Sequence, residues 1–122
     1  MSMPRSAPNP PTKPLSAPVF HILLVLADGP KHGYAIKQEV ERRSEGSIRV
    51  GPGTLYEAIQ RLQDDGAIEE AAAANPVNGQ EAQRRYYRLT DRGWRVLRAE
   101  VRRLGNLVER ARANPRLKKE LA

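Results

Sequence analysis

Few residues of this 122-residue sequence are spaced for covalent chemistry. His21 and His32 stand far apart, with no Glu or His at ligand spacing beside either, which argues against a metal site. His21 reads as a helix-surface or interface residue and His32 as the start of a helix. Asp64 and Asp65 adjoin on a predicted helix and therefore point about 100° apart, a poor arrangement for a shared acid/base pair; they read as solvated charge at a helix end. Gly51-Pro52-Gly53-Thr54 has the glycines of a phosphate-cradling loop, but Pro52 lacks an N–H and no Gly-Lys-Ser/Thr follows. The sequence has no cysteine, which removes disulfides, thiolate metal sites and thiol nucleophiles together. The expectation is a protein that is not an enzyme and holds no metal or cofactor.

What remains is recognition chemistry. Gln60 and Arg61 carry donors that suit base edges or phosphates, Arg being the side chain best matched to guanine. Pro52, Gly53 and Thr54 open a predicted helix, where free N–H groups and the dipole favour an anion, and the Thr54 hydroxyl can donate to a phosphate. Tyr56 either does the same or packs while its hydroxyl finds a partner. Arg84, Arg85 and Arg88 lie on a predicted strand and would either reach backbone phosphates or form a solvated face.

The charge balance favours an acidic partner. Lys and Arg number 21 against 14 Asp and Glu, a net +7 with a pI near 10.2, which suits nucleic acid or an anionic membrane surface. The excess is local: residues 1–83 hold 8 basic and 10 acidic side chains, residues 84–122 hold 13 and 4. The longest apolar run, Ile22 to Ala27, is far short of a membrane span, and the N-terminus has no signal-peptide pattern, so a soluble cytoplasmic protein is expected.

These residues need elements to position them. Six of the ten prolines fall by Pro18, so residues 1–15 read as a disordered proline-rich tail. Pro18, followed by Val19, Ile22, Leu23, Val25 and Leu26, opens a helix that ends at Asp28-Gly29-Pro30. A second helix over Gly33 to Arg43 buries Ile36 and Val40. A third runs from Pro52 to Asp65 with Gly66 as its stop; Leu55, Ile59 and Leu62 face inward, leaving Thr54, Tyr56, Glu57, Gln60, Arg61 and Asp64 outward. Strands over Ala67 to Ala71 and Arg84 to Leu89 form a β-hairpin with a long tip, Tyr87 and Leu89 sharing one face. Thr90 caps a last helix whose apolar positions Trp94, Leu97, Val101, Leu104, Val108 and Ala111 alternate by three and four. Asn114-Pro115 ends it or caps a last short turn.

Helix, helix, turn, helix and hairpin is the order of a winged helix-turn-helix domain, with the third helix suited to the major groove and the hairpin as a wing. The chain is therefore expected to be mostly α with a β-hairpin, a winged domain over residues 16–89 followed by a stretch over 90–122 read as a dimerisation helix; the seam is under three heptads long, and periodicity alone fits equally a helix packed on its own domain.

The residues also resemble a family. His32-Gly33-Tyr34-Ala35-Ile36 after Asp28-Gly29-Pro30, then Pro52-Gly53-Thr54-Leu55-Tyr56 with Arg61-Leu62 and Asp65-Gly66, and finally Tyr86-Tyr87-Arg88-Leu89-Thr90-Asp91-Arg92-Gly93, closely resemble the PadR family of transcriptional regulators over about residues 19–105. The resemblance implies a homodimeric winged-helix repressor of the small form, its last helix pairing the subunits, with Thr54 and Tyr56 at or near the DNA. Gly51 stands where many members place a Ser cap, and the long wing tip, proline-rich leader and arginine-rich last helix depart from the pattern.

The partners expected are palindromic operator DNA, a second copy of the chain, and a small aromatic or cationic effector. Trp94, Leu97, Val101, Leu104 and Val108 form the dimer seam, and Trp94 is either seam core or a flat wall for a planar effector. Two rivals remain: a basic architectural or ribosome-associated winged-helix protein without regulatory specificity, and a protein-interaction module built on the seam.

Overall fold

The computed structural model describes residues 13–72 and 85–122. Residues 1–12 of the proline-rich leader, most of the wing loop and Arg84 lie outside that range.

The first helix is apolar on nearly every side, so other elements wrap it. In α1 (Ala17–Leu26), Ile22, Leu23, Val25 and Leu26 are buried, Pro18 occupies the first turn as its φ permits, and Ser16 Oγ accepts the Val19 N–H. Leu15, the last residue of the span read as tail, is half-buried against the core. The turn after α1 leads through β1 (Lys31–His32) into α2 (Gly33–Arg43), which buries Ile36 and Val40 at the predicted spacing. His32 caps α2, its Nδ1 accepting the Ala35 N–H at 3.1 Å. α3 (Pro52–Asp64) starts behind Gly51, which offers no side-chain cap, and buries Leu55, Ile59 and Leu62. Gly66, at a φ of +76° that L side chains rarely adopt, ends it and lets the Ala67 N–H donate back to the Leu62 carbonyl at 2.9 Å.

β2 (Ile68–Ala71) and β3 (Tyr86–Leu89) pair antiparallel, Ile68 opposite Leu89 and Ala71 opposite Tyr86. Tyr87 and Leu89 are buried, as the alternation predicts. The sequence indicates a two-stranded hairpin; the sheet has a third strand, β1, on the far edge of β3 with Lys31 opposite Tyr87. A two-residue strand is too short to carry a period, which is why the pattern misses it.

α4 (Asp91–Ala113) follows at once, Thr90 Oγ1 accepting the Gly93 N–H at 3.0 Å. Its first turns bury Gly93, Val96, Leu97 and Glu100 against α1 and the sheet, whereas every residue from Gly105 onward is exposed. Asn114 ends α4 and caps α5 (Pro115–Leu121), its Oδ1 accepting the N–H groups of Arg116 and Leu117. No helix among the described residues is long and apolar enough to cross a membrane.

Candidate nucleic-acid interface

The core under α3 leaves its other side bare. Thr54, Tyr56, Glu57, Gln60, Arg61 and Asp64 are all exposed, as amphipathic spacing requires. At the N-terminal end, the absence of a side-chain cap leaves the first-turn amides of Gly53 and Thr54 without a side-chain acceptor, beside the exposed Gly51 and Pro52. Those amides and the helix dipole suit a phosphate oxygen.

The exposed side chains divide into two groups. Tyr56, Gln60 and Gln63 turn toward the sheet and, with His32, Tyr34, Arg85 and Tyr87, line a cleft of about 480 Å³ between α2, α3 and β3. Tyr34 and Tyr56 are each 59% exposed, two phenols that face the same cleft. The Tyr56 ring lies over the first turn of α2, its hydroxyl 3.6 Å from where a Cβ on Gly33 would be. His32 also packs edge-on against Tyr86, ring centroids 5.4 Å apart, so the imidazole has a structural place in β1 and the α2 cap. Burial pushes the Tyr87 phenol above its usual pKa, opposed in part by the Arg85 charge.

Arg61 points elsewhere. One residue beyond Gln60 is a rotation of about 100°, and that carries Arg61 to the α1 and α4 side, into a groove shared with Lys13, Leu15, Val19, Asp65 and Arg92. It makes no hydrogen bond or ion pair among the described residues. Gln60 donates from Nε2 to Asp64 Oδ1 at 3.1 Å.

The wing arginines face β2 carboxylates. Arg88 Nε lies 2.8 Å from Glu69 Oε2 on the register partner, and Arg85 Nε lies 3.5 Å from Glu70 Oε1. These pairs are exposed and therefore weak, so a phosphate can displace either carboxylate at little cost. Arg84 is outside the described residues.

Along α4, Trp94 is 46% exposed, Val101 48% and Val108 50%, and Leu104 is half-buried. Leu97 departs from the expected seam: it is 5% exposed and packed in the protomer's own core. A stripe spaced by threes and fours is wide enough to be shared, and α1 and the sheet take the edge bearing Val96, Leu97 and Glu100.

Three residues were given no role by the sequence reading, although Tyr34 and Gly93 stand in the family motifs. Tyr34 lies opposite the Ile36/Val40 stripe, so helical periodicity alone could have exposed it. Glu100 is the buried charged residue of the core: Arg103 donates to both its carboxylate oxygens at 2.8 Å and the Leu15 N–H donates at 3.0 Å. The Arg103 bonds chiefly hold its carboxyl below the usual range, helped by Leu15 and opposed by burial. Gly93 admits no side chain where α4 meets the residue before β2. The described residues contain no cluster of three or more metal-ligating side chains.

Comparison with known proteins gives one consistent answer. The family described as "Transcriptional regulator PadR-like family" matches residues 22–99. A Mycobacterium tuberculosis protein named "Transcriptional regulator Rv3488" is 38% identical over 89 residues, covering 73% of this chain and 77% of that protein. An uncharacterized 37.1 kDa protein of a Streptomyces fradiae transposon is 36% identical over 89 residues, and the match spans only 23% of its length. Among solved structures, Bacillus subtilis PadR in complex with operator DNA superposes with a TM-score of 0.61 at 22% identity, over 73% of this chain and 48% of that one. That likeness is one of fold.

Proposed function

The chain belongs to the PadR-like family of transcriptional regulators, and from that premise we propose that it is a homodimeric repressor which binds palindromic operator DNA in the cytoplasm. α3 enters the major groove. Gly53 and Thr54 take a phosphate at its N-terminus beside Pro52, Tyr56 and Gln60 face the bases on the wing side, Arg61 holds the backbone on the other flank, and Arg84, Arg85 and Arg88 grip the backbone from the wing. The observation that carries this reading is the bare face of α3 beside the cleft shared with Tyr34 and Arg85, where an amphipathic helix and a wing strand offer donors to one surface.

The exposed Trp94, Val101 and Val108 edge of α4, with half-buried Leu104, supports pairing of two copies, since an apolar row of this kind is covered in a stable assembly. A dimer spaces two α3 helices and so calls for a two-fold symmetric site. Selection of bound duplexes from a random pool tests the whole reading. A palindrome is the expected result; a diffuse preference points instead to an architectural nucleic-acid protein, and no enrichment retires DNA binding.

A second element concerns control. Trp94 is half exposed at the wing-proximal start of the seam, where a planar aromatic or cationic effector stacked between subunits would alter the spacing of the two α3 helices.

A further inference from the structure

Many basic side chains on the described surface are neutralised within the chain. Lys37 pairs with Glu41, Arg42 and Arg43 with Glu39, Arg88 with Glu69, Arg103 with Glu100 and Arg116 with Glu120. Arg95, Arg98 and Arg102 on α4 do not share that arrangement. All three are exposed, and none makes a hydrogen bond or ion pair among the described residues.

Their spacing of three and four sets them in a single row about 10 Å long. Like charges at those intervals repel and weaken the helix that carries them. The row lies on the side of α4 opposite Val96, Leu97 and Glu100, and about a quarter turn from the Trp94/Val101 edge. The protomer core leaves it exposed.

We infer that Arg95, Arg98 and Arg102 form a second, sequence-independent seat for the phosphate backbone of duplex DNA, outside the surface made by α3 and the wing. The inference rests on the reading that this protein binds DNA. Three guanidinium forks in a rigid row match a run of phosphate oxygens, each fork able to donate two bonds. A single exposed ring, Trp94, stands beside the row at i−4 from Arg98, so stacking is offered to one base at most, and three cations in line favour the continuous backbone of a duplex over a run of unpaired bases. Ala99 and Asn106 flank the row on one side, and the apolar Trp94/Val101 edge on the other is the face read above as the contact between copies, which leaves an acidic peptide no apolar anchorage of its own. Once α3 holds one stretch of duplex, a neighbouring stretch meets the row at high effective concentration.

The test is the salt dependence of binding by the full chain to a random-sequence duplex longer than one operator. Combined Arg95→Gln, Arg98→Gln and Arg102→Gln should lower the slope of log K against log salt by about 2.7, at about 0.9 for each phosphate that is no longer neutralised. Substituting Lys at all three positions should keep the slope, and helical circular dichroism should be parental in both. A charge-matched control, Arg116→Gln with Lys118→Gln and Lys119→Gln, should leave the slope unchanged. The inference is overturned if the Gln triple retains the parental slope, or if the control variant's slope falls as much, since net charge alone would then explain the effect. Row-dependent binding of a poly-glutamate peptide with the slope unaltered would overturn it in favour of an acidic protein partner. In each of these outcomes the parent still binds duplex, so the DNA-binding reading stands; a parent that binds no duplex sinks both.

Discussion

A methyl group on Gly93 would sit 2.0 Å from the carbonyl oxygen of Ala67. The same oxygen accepts the Thr90 N–H at 3.0 Å, so the start of α4 is seated backbone to backbone on the residue that leads into β2. Neither side can yield without moving an element.

Gly93→Ala should therefore lose stability at the upper end of the about 1 to 3 kcal/mol typical of overpacking. Gly53→Ala, at a helical position with nothing within 4 Å of the added carbon, should gain about 0.5 to 1 kcal/mol. Urea midpoints at equal slope measure both. A Gly93→Ala midpoint equal to the parent's would show that α4 does not need this close approach.

These two glycines illustrate what the sequence can and cannot carry. α1, α2 and α3 were legible because a period of 3.6, a first-turn proline and a stop glycine are local signals, and the Tyr87/Leu89 alternation is equally local. Gly93 has an ordinary helical neighbourhood in sequence, and only the tertiary approach of Ala67 explains it. β1 is too short for any period. Leu97 fits a heptad as well as Val101 does, and which one faces a second copy depends on what α1 and the sheet already cover. Gln60 and Arg61 read as one recognition pair because both are outward; that they look to opposite flanks follows from the wing and the α1 entry, which sequence spacing does not place.

That division gives separable expectations for binding. Gln60→Ala, on the wing side of α3, should relax preference at one base pair and cost about 1 to 3 kcal/mol on the selected site. Arg61→Ala should weaken all sequences alike and lower the salt slope by about 0.9. Duplex selection together with salt titration distinguishes them, and a change of base preference in Arg61→Ala would return that residue to the bases.

Glu100 makes stability depend on pH. Its carboxyl is held below the usual value, chiefly by Arg103, so the folded chain binds a proton there less readily than the unfolded chain does. Its stabilising contribution is then fully present above the unfolded glutamate value of about 4.3 and is lost as pH falls through the lower folded value. Glu100→Gln removes hydrogen bonds to a charged group and should cost about 1.5 to 3 kcal/mol near pH 7. Melting temperatures followed down to about pH 3 should fall more steeply for the parent than for Glu100→Gln. Parallel curves would show that this carboxylate does not govern acid stability.

The exposed Val101 tests the seam without disturbing the protomer. Because its side chain touches solvent in one copy, Val101→Asp should leave helical content unchanged while placing a charge in any apolar contact between copies. Sedimentation at micromolar concentration should find a dimer for the parent and a monomer for the variant. The same mass for both, whether monomer or dimer, would remove α4 as the element that holds subunits together.

Trp94 reports on control. The chain has one tryptophan, so its fluorescence comes from the start of α4 alone. The ring is 46% exposed in the first turn of α4, and a planar aromatic or cationic compound stacked on it should quench emission saturably. Reciprocity then fixes the second half of the result: a ligand that weakens operator binding by some factor must itself be bound more weakly, by that factor, when operator is present. Titration with a panel of aromatic compounds, run with and without the selected duplex, measures both sides of the cycle. Saturable quenching that weakens with DNA identifies an effector site at the seam. Quenching indifferent to DNA, or none across the panel, leaves Trp94 as a packing residue between copies and removes this end of the seam from regulation.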